Sequence, residues 1–226
     1  MITHLKQPDR EQLQAIVDLH CAAFPEFFLT SLGPRFLRLL YRGFATMPGG
    51  ICILAEDAGR VIGFAAGTTE PDMFFKRLLR KHGLSFALAA VPGLLRNPFF
   101  VARKCLGAVF YRGEQPAGLE SAALLSSLAV DPECSGKGVG QALVKAFVDE
   151  AAKRGCKCVY LTTDQAENER VNRFYEKCGF RLRDSFPRPG QRIMNRWVWE
   201  GGTQTVDRRL QTADLWDLDE SRCRER

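Results

Sequence analysis

Three alternating glycines mark the part of the sequence with the clearest capacity for chemistry. The run Ser135-Gly-Lys-Gly-Val-Gly140 follows an apolar stretch and opens a segment of helical periodicity. Glycine has no Cβ, so its backbone N–H groups can turn closely toward a ligand. The start of a helix adds unpaired N–H donors and a partial positive charge. The pattern predicts a cradle for a phosphate or pyrophosphate, with Lys137 as a nearby cation.

The spacing of this loop does not fit two common phosphate-binding motifs. A P-loop requires GxxxxGK[ST], and no Ser or Thr follows Lys137 at the required place. A dinucleotide-binding fingerprint requires GxGxxG, but its third position is Gln141 here. A plain glycine-rich turn between a strand and a helix is the remaining alternative from the loop alone.

A later segment favours a ligand-binding loop over a plain turn. It reads Asn168-Glu-Arg-Val-Asn-Arg-Phe-Tyr175, followed by Gly179-Phe180. Together with the loop it resembles the motifs of the GCN5-related N-acetyltransferase (GNAT) superfamily. In that family a (Gln/Arg)-x-x-Gly-x-(Gly/Ala) loop grips the pyrophosphate of coenzyme A, and a downstream Asn and Tyr complete the site. This chain departs from the pattern at Ser135, where the family usually has Gln or Arg, but the backbone donors do not depend on that side chain.

The resemblance implies an α/β fold class: a single domain with a mixed, splayed sheet that binds acetyl-CoA as cosubstrate and needs no metal. The strand at Leu128, Ala129 and Val130 would bind pantetheine through its backbone, as an added strand would. Asn168 would hold the other side of the pantetheine arm, and Tyr175 would protonate the departing thiolate. The implied diphosphate contacts are Ser135, Gly136, Lys137, Gly138, Val139, Gly140 and Gln141.

Acyl transfer to an amine also needs a base, because the attacking amine must be neutral. Glu120, just before the central strand, is the predicted base, although a solvated loop glutamate is an equal alternative. Asp164 and Glu26 are weaker candidates. His20 lies on an apolar helix stripe typical of a packed histidine, and Cys134 has no evident partner base. For Tyr175 the alternative is a packed core aromatic. It forms one apolar stripe, typical of a core, with Val171, Phe174 and Cys178.

Periodicity predicts the elements that must position these groups. A capping box at Asp9 and Gln12 starts a first helix, 11–24, and Pro34 starts a second. The remaining predicted elements are a β-hairpin over 51–56 and 61–66, strands 122–130, 157–163, 180–186 and 193–200, and helices 138–154 and 167–177. We expect an acetyltransferase domain over 1–200 and a weakly ordered tail over 201–226, in which Leu210, Leu215, Trp216 and Leu218 would suit a docking helix.

A basic helical insertion, 71–119, is expected between the third and fourth strands, with helices near 73–81 and 99–110. From Met73 to Gly113 it carries eight Lys and Arg residues and no Asp or Glu. Such a patch attracts a phosphorylated ligand, nucleic acid or an acidic membrane, unless it is only a solvated helix face.

The insertion and the bend at 24–30 are expected to set the acceptor. We predict the primary amine of a small phosphorylated acceptor, such as an amino-sugar nucleotide, with Arg80, Lys81, Arg96 or Arg103 on its diphosphate. The phenylalanines of the insertion would form a lid or rest on anionic lipid: Phe74, Phe75, Phe86, Phe99 and Phe100. Alternatives are a protein or peptide Nα-acetyltransferase, an RNA-directed acetyltransferase and a non-catalytic acetyl-CoA sensor. We expect no nucleic-acid partner, and a homodimer is compatible with the sequence.

The amino-acid composition excludes several classes of protein. The 226 residues are 46% hydrophobic and 26% charged, which excludes a disordered or collagen-like chain. The longest apolar-rich run, 82–95, contains Pro92 and is shorter than the roughly 20 residues of a membrane span. The N-terminus lacks a signal-peptide pattern, so we expect a cytoplasmic protein whose eight cysteines are free thiols. Cys156 and Cys158 have no partner pair, which argues against zinc.

Overall fold

The computed structural model describes residues 1–96, 118–119, 121–188 and 192–201. The strands form one seven-stranded sheet of order β1-β2-β3-β4-β5-β7-β6. Their bounds are β1 Ile2–His4, β2 Gly50–Asp57, β3 Arg60–Thr68, β4 Ala122–Val130, β5 Cys158–Asp164, β6 Arg181–Arg188 and β7 Arg192–Glu200. Every neighbouring pair is antiparallel except β4 and β5, which run parallel.

The parallel pair at the centre of the sheet is short. Only Ala122–Leu124 of β4 pair with Cys158–Tyr160 of β5, although both strands continue well beyond these residues. The two strands therefore separate toward their carboxyl ends. The splayed sheet implied by the sequence motifs is confirmed.

Within the described residues, six α-helices flank the sheet: α1 Arg10–Ala23, α2 Phe28–Ser31, α3 Pro34–Thr46, α4 Pro71–Arg96, α5 Val139–Lys153 and α6 Glu169–Lys177. The capping box predicted at the start of α1 is present, with the Asp9 carboxylate accepting from the Gln12 amide at 2.7 Å. Pro34 begins α3, where its missing N–H leaves no bond unmade. Gly33 precedes it with φ of +93°, a conformation that favours glycine.

Each face of the sheet carries its own hydrophobic core. On one face α1, α3 and α4 bury aromatic rings around Tyr41, Phe44 and Phe74. On the other, α5 and α6 pack Phe147 and Tyr175 against residues of the sheet. Helix periodicity explains this split, because each helix directs its apolar stripe toward the sheet between the layers. The two cores hold the splayed strands in place from both sides.

The largest departure from the predicted elements lies in the basic insertion. Its position between the third and fourth strands is confirmed, but α4 runs unbroken through Pro92, where the sequence predicted an interruption. Tertiary packing accounts for the difference: a Cβ on Gly93 would lie 2.3 Å from the Ser31 carbonyl oxygen, so the helix end is held directly against the α2–α3 connection. The predicted helix 99–110 and the tail 202–226 lie outside the described residues.

Two short elements were not predicted. Strand β1 has only three residues, and their side chains are exposed or half-buried, so no apolar pattern reveals it. Helix α2 is a single turn within the bend after α1. It ties the bend down through the Thr30 hydroxyl, which donates to the Phe24 carbonyl at 2.6 Å.

Candidate active site

The carboxyl half of β4 forms one wall of the opening in the sheet. On its other edge it pairs with β3, with Leu128 opposite Ala65 and Val130 opposite Gly63. Toward β5, no described strand pairs with β4 beyond Leu124. The predicted pantetheine-binding residues Leu128, Ala129 and Val130 therefore lie at the open edge of a strand that can accept an extended ligand.

A β-bulge changes the direction of β4 just before this edge. Ala66 pairs with Ser127 and Gly67 pairs with Leu125, which leaves Ser126 as the extra residue. A bulge increases local twist and bends its strand. It therefore helps to turn the carboxyl half of β4 away from β5, and it leaves the Ser126 side chain exposed.

A tightly held turn leads from β4 into the glycine loop. The Asp131 side chain is largely buried, accepts from the Glu133 amide at 3.0 Å and pairs with Arg60. Residues Pro132–Cys134 then form a 3-10 turn. These bonds fix where the loop begins relative to the strand.

The loop itself presents backbone donors. Gly136 and Gly138 have φ of +83° and +77°, and a Cβ on either would meet no atom of the chain within 4 Å. Both glycines therefore face open space. Glycine is favoured at these positions because of the positive φ angles, not because a side chain would lack room. The first bond of α5 runs from the Ala142 amide to the Gly138 carbonyl at 3.0 Å, so the N–H groups at the helix start are available to an anion.

A cation from another helix reaches the loop, and sequence reasoning missed it. Arg170 of α6 donates to the Ser135 hydroxyl at 3.0 Å. A guanidinium therefore lies beside the position where the GNAT motif usually carries Gln or Arg. Arg170 lies two positions after Asn168 in the later motif, a proximity that offered the only sequence signal for it.

Helices α5 and α6 meet at Gly140, which brings the loop next to the second motif. A Cβ at Gly140 would lie 3.2 Å from the Phe174 ring, so this glycine permits the close approach of the two helices. Phe174 in turn packs on Tyr175, with ring centroids 5.1 Å apart. The fold thus brings together the two motifs that lie apart in the sequence.

Asn168 lies after β5, across the opening from β4. It occupies the N-cap position of α6, but its side chain does not cap the helix. Instead its amide nitrogen donates to the Asp164 carbonyl at 3.3 Å, a long bond that leaves the amide oxygen available. The structure therefore places Asn168 on the β5 side of the opening, and its contact with pantetheine stays a prediction.

Tyr175 combines a core ring with an available hydroxyl. Its side chain is 8% exposed, and its ring packs against Phe174 and Phe180. Its hydroxyl makes no hydrogen bond with any residue that the structure describes. Burial raises the pKa of Tyr175 well above its ordinary value, so the phenol stays protonated at neutral pH. Such a group can donate a proton but cannot serve as the base.

The candidate bases lie in different environments. Glu120, the predicted base, lies outside the described residues. Asp164 is engaged by Arg192, whose guanidinium reaches both carboxylate oxygens at 2.7 Å. Glu26 is exposed on the bend after α1, and Cys134 is half-buried in the turn before the loop. Within the described chain, no cluster of His, Cys, Asp and Glu has the arrangement of a metal site.

A buried polar chain links α1, α3 and β4 beside the bulge. His20 Nδ1 lies 2.6 Å from the Tyr41 hydroxyl, which also hydrogen-bonds to Ser127. His20 is fully buried, and its Nε2 has no partner among the described residues. Burial lowers the pKa of His20 to about 4, so the ring is neutral at physiological pH. The prediction of a packed histidine fits this geometry, with one ring nitrogen left unsatisfied.

Comparisons with known proteins bear on the family and the fold. A family model described as the acetyltransferase (GNAT) family matches residues 95–180. No curated protein sequence gives a significant match.

Solved structures match over most of the chain. An aminoglycoside 6'-acetyltransferase type Ii aligns with a TM-score of 0.59 at 16% identity, covering 90% of this chain and 99% of that one. An aminoglycoside 6'-N-acetyltransferase from Enterococcus faecium gives 0.57 at 15% identity, covering 90% and 98%. The protein yncA from Salmonella typhimurium, a candidate acetyltransferase solved with its cofactor acetyl-CoA, gives 0.58 at 14% identity, covering 91% and 96%. At these identities the structural matches show a shared fold.

Proposed function

We propose that this chain, whose resemblance to the GNAT acetyltransferases is confirmed by the family match and the fold, transfers an acetyl group from acetyl-CoA to a primary amine. One observation carries the proposal. The open edge of β4 leads directly into a loop whose glycines and helix start present backbone N–H groups. This is the arrangement needed to hold an extended thioester arm and its diphosphate together.

The proposed coenzyme site uses both walls of the opening. The backbone of Leu128–Val130 would bind the pantetheine amides, and Asn168 would contact the arm from the other side. The amides of residues 136–141 would bind the diphosphate, together with the side chain of Lys137. We add Arg170 to this set, because its contact with Ser135 brings a guanidinium to the same loop, and guanidinium groups bind phosphate through charge-assisted hydrogen bonds.

The proposed reaction is direct attack on the thioester. The base, for which we propose Glu120, takes a proton from the acceptor's ammonium group, and the neutral nitrogen then forms a bond to the carbonyl carbon. A backbone N–H near Val130 stabilises the tetrahedral oxyanion. The carbon–sulfur bond then breaks, and the thiolate takes a proton from Tyr175. The raised pKa of Tyr175 ensures that this proton is present at neutral pH.

For the acceptor we propose a small amine that carries phosphate, such as an amino-sugar nucleotide. The support is the basic insertion: Lys76, Arg80 and Lys81 are exposed on α4 and form no ion pair with a described residue. Arg103 lies outside the described residues, as does the side chain of Arg96. A cytoplasmic location remains a prediction from the sequence. Within the part of the chain that the structure describes, no helix is long and apolar enough to span a membrane.

Release of free thiol from acetyl-CoA tests the activity. The acceptor panel should contain amino-sugar nucleotides, the corresponding unphosphorylated amino sugars, aminoglycosides, polyamines and peptides with free N-termini. The proposal expects turnover with an amino-sugar nucleotide and a higher KM for its unphosphorylated counterpart. Preference for peptides would favour an Nα-acetyltransferase. Acetyl-CoA binding without thiol release for any acceptor would favour a sensor.

A further inference from the structure

Helix α4 carries an apolar face that no described residue covers. Exposed apolar side chains occur along the whole helix, and four in its carboxyl-terminal half lie in line: Leu84 at 76% exposure, Leu88 at 63%, Val91 at 42% and Leu95 at 77%. With about 3.6 residues per helical turn, positions spaced four, three and four apart fall within a sector of about 60°. They form one continuous stripe along the carboxyl-terminal half of the helix. We refer to these four residues as the α4 stripe.

The α4 stripe is separate from the surface by which α4 packs on the rest of the molecule. Phe74, Leu78 and Phe86 are buried. Leu78 contacts α3 at Gly43, and the Phe86 ring packs edge-on against Phe36 at 4.8 Å. Gly93 fixes the end of the helix against the α2–α3 connection. The helix is therefore already anchored by one apolar face, and the stripe is not needed for that packing.

The amino-terminal half of the same helix is basic. Lys76, Arg80 and Lys81 are exposed, and Arg77 pairs with Glu70. From Met73 to Arg96 the helix contains no Asp or Glu. On the helical wheel Arg80 and Lys81 flank the line of the α4 stripe one turn before Leu84. A cationic surface and an apolar surface thus continue into each other on one side of the molecule.

We propose that this side of α4 docks the protein on an anionic lipid bilayer. The lysine and arginine side chains would pair with acidic headgroups, and the leucines of the α4 stripe would enter the boundary between headgroups and acyl chains. Charge complementarity selects this occupant. Nucleic acid would satisfy the cations but leave the leucines in water, and a second copy of the chain would bring the same positive charges face to face. The inference does not depend on acetyl transfer.

Vesicle co-sedimentation of the full chain tests the proposal. Wild-type protein should sediment with vesicles of phosphatidylcholine containing about one-third phosphatidylglycerol and stay in solution with phosphatidylcholine alone, because binding requires anionic headgroups. Leu84→Ser with Leu88→Ser should lower the partition coefficient at least about tenfold, since two buried side chains are lost. Arg80→Ala with Lys81→Ala should give a similar loss, and added salt should weaken binding of the wild type.

Matched variants control for general effects of surface change. Leu182→Ser with Ile193→Ser removes two exposed apolar side chains from β6 and β7, and Lys153→Ala with Lys157→Ala removes two exposed cations. Both control proteins should bind anionic vesicles like the wild type. If the protein with Leu84→Ser and Leu88→Ser does not fold, the protein with Arg80→Ala and Lys81→Ala still tests the proposal.

Three results would overturn the proposal. The first is no sedimentation of the wild type with anionic vesicles. The second is unchanged binding by the folded Leu84 and Leu88 variant. The third is a wild-type dimer in light scattering that this variant dissociates while vesicle binding is absent, which would make the α4 stripe a contact between copies.

Discussion

The buried His20 makes stability depend on pH in a window that can be calculated. Burial lowers its pKa in the folded state from 6.5 to about 4. Between these values the unfolded chain binds a proton that the folded chain does not, so stability falls as the pH falls through this window. From about pH 7.5 to about pH 5.0 the loss from this one group is about 2 kcal/mol.

The variant His20→Gln removes the titrating ring but keeps a side-chain oxygen able to accept from the Tyr41 hydroxyl. Urea unfolding of both proteins at the two pH values gives the comparison, because other titrating groups contribute equally to each. We expect the wild type to lose about 2 kcal/mol more than His20→Gln over this range. A His82→Gln variant also removes one imidazole but should keep the extra loss, since it retains His20.

An equal loss of stability in the wild type and His20→Gln would refute this reasoning. It would mean that His20 becomes protonated in the folded protein without penalty. The Nε2–H of the protonated ring would then need a hydrogen-bond acceptor beside it, and none lies there among the described residues.

Three further predictions concern the candidate site. Gly138→Ala should weaken acetyl-CoA binding about tenfold in titration calorimetry, because the added Cβ strains the loop and points into its open side. The control Gly59→Ala, at a hairpin turn with a similar φ of +79°, should not change the affinity. Arg170→Ala should weaken binding about fivefold or more through loss of a charged contact, whereas the neighbouring Arg173→Ala should bind like the wild type; equal effects would remove Arg170 from the site. Tyr175→Phe should lower kcat about a hundredfold with little change in the KM for acetyl-CoA; an unchanged kcat would exclude the phenol as proton donor.

Much of the fold was predictable because its elements have strong local patterns. The bounds of β4 match the predicted strand 122–130, and α5 matches the predicted helix to within one residue at each end. Capping at Asp9 and the proline start of α3 were also readable from local residue types. In these segments periodicity and capping chemistry point to the same structure.

The features that the sequence did not reveal depend on contacts between distant segments. Helix α4 continues through Pro92 because Gly93 is held against the α2–α3 connection, a contact that no local pattern encodes. The bulge at Ser126 appears only when β3 sets the register of β4. Arg170 joins the loop because the contact of Gly140 with Phe174 aligns two helices. The roles of Tyr175 and Glu120 remain predictions.

A crystal structure with bound acetyl-CoA tests the central claim most directly. The account predicts diphosphate oxygens within hydrogen-bonding distance of the amides of residues 136–141, the pantetheine arm along Leu128–Val130, and the thioester sulfur beside the Tyr175 hydroxyl. Acetyl-CoA bound elsewhere, with the glycine loop and the open edge of β4 making no contact to it, would contradict the account.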